Sequence, residues 1–230
     1  MKKILFTGFE PFDGAATNPS WDAVSLLPEE IGGCRISRIL LPVEYDSVGS
    51  LLDAAIAKEQ PDAVICVGQA GGRSAITPEM VAINLKDASI PDNAGISYDG
   101  VPILEGAPAA YFATIPVKSI ATAIREAGIP ASVSYTAGTY VCNSLMYHLM
   151  HLLAQKYPSV IGGFIHIPFD CTQVAASGKT SYPSLPLSTC LLYTSGMAFT
   201  ILSRIFRTDS TRNTTPSMRM IHRAAWKDSR

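Results

Sequence analysis

Residues 131–150 read Ala-Ser-Val-Ser-Tyr-Thr-Ala-Gly-Thr-Tyr-Val-Cys-Asn-Ser-Leu-Met-Tyr-His-Leu-Met. Ala131 to Tyr135 is an apolar, β-branched approach that reads as a strand. A loop containing Gly138 follows, and from Cys142 to Lys156 the pattern is helical. Cys142 therefore falls at the opening of a helix. The N–H groups of a first turn have no intrahelical partners, and the positive end of the dipole favours an anion. A thiolate there is predicted to have a lowered pKa, and the thiolate is the nucleophilic form. The competing reading is a small buried hydrophobe, the usual fate of a free cysteine.

The same unit recurs outward from this stretch. Lys3 to Thr7 is a short apolar strand ending at Gly8, followed by the loop Phe9-Glu-Pro-Phe-Asp-Gly14. Asn18-Pro19 starts a helix, with Asn as N-cap and Pro at the first helical position. Arg35 to Leu41 is a strand. Asp46 to Glu59 carries a helical stripe at 48, 51, 52, 55 and 56. Ala63 to Val67 is a continuous apolar run, as for a strand covered on both faces, and it opens into Gly68-Gln-Ala-Gly-Gly-Arg73. Met80 to Leu85 reads as a further strand, and residues 87–116 as a long excursion without a period. Val117 to Ala127 is a helix, and Ile161 to Ile167 a strand. Strands alternating with helices predict an α/β fold, a three-layer sandwich. Chemistry in such sheets lies beyond the carboxyl ends of the strands. Gly8–Gly14, Gly68–Arg73, Thr136–Val141 and His166–Phe169 should converge there on one cleft.

Composition narrows the function classes. The chain has 230 residues, 47% hydrophobic and 16% charged, with net charge −1. That is enough for one large core and gives no electrostatic case for nucleic acid. The apolar stretch Ile4 to Phe6 is too short for a signal peptide, and no run reaches membrane-spanning length. The expected location is cytoplasmic. Five cysteines at irregular spacing, with no CxxC pair, suggest neither a zinc site nor a disulfide framework. Residues 1–190 hold 11 basic and 17 acidic residues, net −6, whereas 191–230 hold 7 and 2, net +5. Residues 1–190 are expected to form a single catalytic domain. Leu191 to Phe206 could form a helix. The remainder reads as an atypical basic, partly disordered segment, for which a shifted reading frame is one origin and a basic interaction tail the other.

A cysteine nucleophile needs a base, and the base needs an orienting group. His148 and His151 lie on the helix of Cys142, about 9 Å and 13 Å along its axis, too far for contact. As an i, i+3 pair they could ligate a metal, but no carboxylate stands near them in sequence. His222 has no evident partner. His166 ends a strand before Pro168, where a neighbouring parallel strand would bring it beside Cys142; the alternative is a core histidine satisfied by backbone. For the orienting carboxylate Glu79 is the leading candidate, with Asp87, Asp92 and Asp170 as rivals that spacing does not separate. Gly68-Gln-Ala-Gly-Gly72 lacks the P-loop lysine and does not match GxGxxG, so close backbone approach to a small ligand is the better reading.

Taken together, the blocks Thr7-Gly-Phe-Glu-Pro-Phe12, Asn18-Pro-Ser-Trp21, Cys66-Val-Gly-Gln-Ala-Gly-Gly-Arg73, Ile76-Thr-Pro-Glu79, Val81-Ala-Ile-Asn84, Ile90-Pro-Asp-Asn93, Ser134 to Asn143, and Gly162-Gly-Phe-Ile-His-Ile-Pro168 resemble the pyroglutamyl peptidase I family of cysteine peptidases. They run in family order across residues 1–190. The resemblance implies a Glu79–Cys142–His166 triad and removal of an N-terminal 5-oxoproline from peptides through a thioester. It also implies a lactam site formed by Phe9 and Phe12 with Asn18 and Gln69 nearby, and an α/β/α sandwich with a twisted, mostly parallel mixed sheet. It implies no cofactor or metal, no membrane or nucleic-acid partner, and a homodimer or homotetramer. Where the family usually carries an arginine thought to serve the oxyanion, this chain has Ser89. The alternative that follows is an impaired or non-catalytic lactam binder.

Overall fold

The computed structural model describes residues 1–178 and 181–190. The expectations for 191–230 lie outside the described residues.

In chain order the elements are β1 (Lys2–Phe9), α1 (Pro19–Ser25), β2 (Glu30–Ile31), β3 (Cys34–Leu41), α2 (Val48–Glu59), β4 (Ala63–Gln69), β5 (Thr77–Pro78), β6 (Val81–Ile83), β7 (Ala110–Phe112), α3 (Val117–Glu126), α4 (Val141–Gln155), β8 (Ile161–Ile167), β9 (Phe169–Asp170), α5 (Cys171–Ser177), β10 (Ser184–Leu185) and α6 (Leu187–Cys190). Six strands form the main sheet in the order β2-β3-β1-β4-β8-β5. β3, β1, β4 and β8 are parallel, while β2 and β5 run antiparallel at the edges. The sheet is therefore mixed and mostly parallel, as expected.

The alternation of side chains along each strand splits the core in two. Ile4, Phe6, Ile65, Val67, Ile165 and Ile167 pack against α1 and α3. Leu5, Val64, Cys66 and Phe164 face α2 and α4. Both faces of β4 are buried, which is why Ala63–Val67 shows no polar alternation. Two layers of helices enclose the sheet.

α1 begins as its sequence dictates. Asn18 is extended (φ −132°), its side chain accepts the Ser20 N–H, and Pro19 sits inside the first turn. Two expected strands differ. Met80 to Leu85 forms only the three-residue β6, paired with β7 in a separate ribbon. Ala131 to Tyr135 forms two isolated parallel bridges, Ile76↔Ala131 and Glu79↔Ser134. Its ladder to residues 76–80 is nearly complete: Ser132 N–H donates to Ile76 O, Ser134 N–H to Pro78 O and Met80 N–H to Ser134 O. Pro78 has no N–H for the rung between them, so the pairing is interrupted rather than absent.

Among the described residues no helix is long and apolar enough to cross a membrane.

Candidate active site

The four strand-end segments do converge. They line a cavity of about 270 Å³ whose walls include Phe9, Phe12, Asn18, Gln69, Arg73, Tyr140, Cys142 and His166. Each sequence-predicted site residue lines this cavity except Glu79, which lies behind His166.

Cys142 is the second residue of α4. Gly138 (φ +79°) turns the preceding loop, and the extended Tyr140 admits it to the helix. Asn143 fixes that entry. Its amide donates to Ile83 O (2.9 Å) and Leu85 O (3.1 Å) and accepts from Ile83 N–H (3.0 Å), with the residue fully buried. The first turn of α4 is thus bolted to β6.

His166 is the next-to-last residue of β8 and pairs across the parallel ladder with Gly68 of β4. Its Nδ1 lies 2.7 Å from Glu79 Oε1, and both side chains are buried. Glu79 follows β5, held by its own N–H to Phe164 O at 2.9 Å. Burial pulls the Glu79 carboxyl upward. The His166 hydrogen bond and charge, with Ser134 and Arg73, outweigh it and leave the group below the usual carboxylate range. An ionised Glu79 accepts, so Nδ1 carries the proton and Nε2 presents its lone pair. For His166, burial lowers the pKa, Glu79 opposes that, and Arg73 adds to the lowering; the net shift is downward. The resting imidazole is neutral.

Two of the three rivals to Glu79 are spent on backbone. Asp92 accepts from the N–H groups of Tyr45, Ala94 and Ile96. Asp170 caps α5 through Thr172 N–H. Asp87 is exposed. His151 Nδ1 meets the Tyr111 hydroxyl at 3.0 Å, and the His148 ring packs against Gly49 of α2, so neither faces the cavity.

The thiol departs from expectation. Burial pushes Cys142 up to about 12, the Glu79 charge adds to the rise, and Arg73 opposes it. Desolvation disfavours the charged sulfur more than the helix end favours it. Both shifts favour the neutral forms, a protonated thiol and an unprotonated imidazole that line the same cavity.

Asn18 lines the cavity with its polar atoms already engaged. Its amide donates to Glu10 O (2.9 Å), and Oδ1 accepts from Ser20 N–H and Oγ. It shapes the Phe9–Phe12 loop. Gln69 Oε1 accepts from Gln173 at 3.0 Å. The Phe12 and Tyr140 rings stand 6.0 Å apart, centroid to centroid, and Phe9 is buried beside Phe164. Gly68 and Gly71 permit close approach: a Cβ at Gly71 would lie 2.4 Å from the Phe169 ring. Ser89 is exposed and outside the lining. Sequence reasoning missed three contributors: Arg73, Tyr140 and Asn143. All three stood in the quoted blocks, but nothing in their spacing assigned them a task.

The pyroglutamyl peptidase family model matches residues 2–202, past the point where the sequence blocks end. The chain belongs to the pyroglutamyl peptidase family. It is 52% identical over 187 residues to the pyrrolidone-carboxylate peptidase of Thermococcus kodakarensis, spanning 81% of this chain and 89% of that protein. The corresponding protein of Escherichia fergusonii is 53% identical over 177 residues, 76% of this chain and 82% of the relative. The crystal structure of pyroglutamyl peptidase I from Bacillus amyloliquefaciens superposes with a TM-score of 0.82 at 47% identity, covering 87% of this chain and 94% of that one. A mutant pyrrolidone carboxyl peptidase from Pyrococcus furiosus gives 0.82 at 36% identity, covering 90% and 99%.

Proposed function

We propose that Cys142, His166 and Glu79 hydrolyse the amide bond after an N-terminal pyroglutamyl residue. The chain is a pyroglutamyl peptidase by family and by its relatives. The observation that carries the residue assignment is the 2.7 Å Glu79–His166 pair at the wall of a cavity that Cys142 also lines.

A pyroglutamyl terminus carries no ammonium, so the pocket needs neither a carboxylate nor a metal to receive one. A neutral, flat lactam suits the aromatic rings of Phe9 and Phe12 with a few polar atoms such as those of Gln69. His166 Nε2 takes the thiol proton as the Cys142 sulfur bonds to the pyroglutamyl carbonyl carbon. The raised thiol and neutral imidazole favour this concerted transfer over a standing ion pair. Unpartnered N–H groups in the first turn of α4, that of Cys142 among them, stabilise the oxyanion. His166 then protonates the leaving amine as the C–N bond breaks, giving a thioester. Finally it removes a proton from water as the water oxygen bonds to the thioester carbon, and returns that proton to sulfur as the C–S bond breaks, which releases 5-oxoproline and restores the thiol. Glu79 keeps the ring in the productive tautomer.

Residues 1–190 act as the catalytic unit in this reading. Location in the cytoplasm and assembly into a homodimer or homotetramer are what the family resemblance implies. Light scattering of the purified protein tests the assembly.

Turnover of a fluorogenic pyroglutamyl amide tests the chemistry. Cleavage blocked by iodoacetamide and by Cys142→Ala, and indifferent to chelators, is expected. Retained ligand binding without turnover in the parent would favour a lactam binder instead.

A further inference from the structure

Arg73 lies at the end of the Gly71-Gly72 turn that follows β4. Gly72 takes φ +86°, a conformation that favours glycine, and the Arg73 N–H donates to Ala70 O at 3.3 Å. The turn folds the chain back, and the guanidinium reaches three groups. Nη1 donates to Glu79 Oε1 at 2.6 Å and to the Thr77 hydroxyl. Nη2 donates to Thr136 O at 3.1 Å. Oε1 is the same oxygen that receives the His166 Nδ1 proton, and Thr136 lies in the loop leading into α4 and Cys142.

We propose that Arg73 is a positioning residue that locks the Glu79–His166 couple to the loop carrying the nucleophile. The inference rests on the triad assigned above. Two features of the site make the bridge consequential. Glu79 is fully buried, and its second oxygen, Oε2, has no hydrogen-bond partner among the described residues. The nearby Ser134 hydroxyl favours the carboxylate, but it is aimed at Thr136 O, 3.0 Å away. The carboxylate is therefore oriented chiefly through Oε1, by His166 and Arg73. A planar fork with several N–H donors holds a carboxylate and a carbonyl on a different loop in one fixed geometry, which the compact, rotatable ammonium of a lysine does not.

The charge has a second effect. The titratable groups around the guanidinium are Glu79 before β6, His166 on β8 and Cys142 on α4, with Cys66 of β4 behind Cys142. A fixed positive charge favours carboxylate and thiolate and disfavours imidazolium. It extends toward lower pH the range in which His166 is a neutral base.

Arg73→Gln and Arg73→Lys decide the matter. For Arg73→Gln the expected result is a fall in kcat of about tenfold to a hundredfold, the loss typical of one charged hydrogen bond, with KM essentially unchanged. The acid limb of kcat/KM moves to higher pH. Arg73→Lys keeps the acid limb of the parent but still loses kcat, because the fork is gone. Alkylation of Cys142 by iodoacetamide, followed on its own peptide by mass spectrometry because Cys171 is exposed and would react too, should shift to higher pH in Arg73→Gln. That readout needs no turnover, so it stands even if the triad assignment fails. Parent-like kcat in either variant, or acid limb and alkylation profile both unmoved in Arg73→Gln, overturns the proposal. Should Arg73→Gln not fold, Arg73→Lys decides: reduced kcat with the acid limb of the parent supports the bridge, and parent-like kcat overturns it.

Discussion

A Cβ placed on Gly68 would stand 3.0 Å from the Cys142 sulfur and 2.6 Å from the Phe164 ring. Gly68 is also the ladder partner of His166, so the missing side chain leaves the space in which sulfur approaches base. Gly68→Ala must push the sulfur or the Phe164 ring aside. Overpacking of this kind costs about 1–3 kcal/mol of stability. The activity loss should exceed what the fraction unfolded explains, because the nucleophile itself is displaced. Thermal unfolding and kcat, measured on the same preparation, check both. A variant with lowered thermal midpoint and parent-like kcat would show that the sulfur tolerates the shift.

Glu79 makes a prediction through His166. Glu79→Gln keeps the shape but removes the negative charge, while Arg73 keeps an amide oxygen at the position of Oε1. Without that charge the imidazolium that forms as His166 takes the thiol proton loses its stabilisation, and the ring is held less firmly in the Nδ1–H tautomer. In serine proteases the equivalent amide substitution lowers kcat about 10⁴-fold. A fall of about 10²–10⁴-fold is expected here, with a small change in KM. Steady-state kinetics on a pyroglutamyl amide reads it directly.

These two residues also show what the sequence carries. The apolar run Ile161–Ile167 marks β8 to the residue, because a doubly covered strand reads as a near-continuous apolar run. The position of Cys142 at a helix start was readable from its own neighbourhood. Three things were not. The choice of Glu79 over Asp92 and Asp170 depends on which carboxylates the backbone consumes, and that is settled by loops without periodicity. The interruption at Pro78 depends on a rung contributed by a segment some fifty residues away, Ser132 to Ser134. The thiol pKa depends on burial within the folded site, which outweighs the local helix end. Local signals place elements, whereas the electrostatics of the site arise from contacts across the sheet.

Acid should weaken the fold through His148. Burial, with smaller contributions from His151 and Lys86, lowers its pKa to about 4, from 6.5. The unfolded chain therefore binds more protons than the folded one between those values. The stabilisation is fully present above pH 6.5 and drains away as pH falls toward 4, amounting to about 3 kcal/mol if the full shift is realised. His166 is lowered in the same direction and adds to the slope. His148→Phe retains a ring against Gly49 and removes the titration. Its thermal midpoint should change less between pH 7.5 and pH 5 than that of the parent. Parallel pH dependences would assign the acid sensitivity elsewhere.

Ser89 bears on the oxyanion. The stretch around it is tied to the residues just before Cys142: Asp87 N–H donates to Thr139 O at 3.2 Å, and the Tyr140 hydroxyl donates to Pro91 O at 3.0 Å. Ser89 is exposed between these two tethers and is too short to reach the cavity that Tyr140 lines. A long cationic side chain at this position, on a stretch tied to Tyr140, would have the length to extend toward the cavity that Tyr140 lines. There it would add a donor to those at the start of α4. One oxyanion donor is typically worth about 10²–10³-fold in rate. Ser89→Arg should therefore raise kcat by at least about tenfold, the reduced figure allowing for a flexible, partly solvated guanidinium. The gain should appear in kcat and not as a lower KM, because the charge it answers exists only in the transition state. Equal kcat for parent and variant would mean that the helix end alone completes the oxyanion site in this chain.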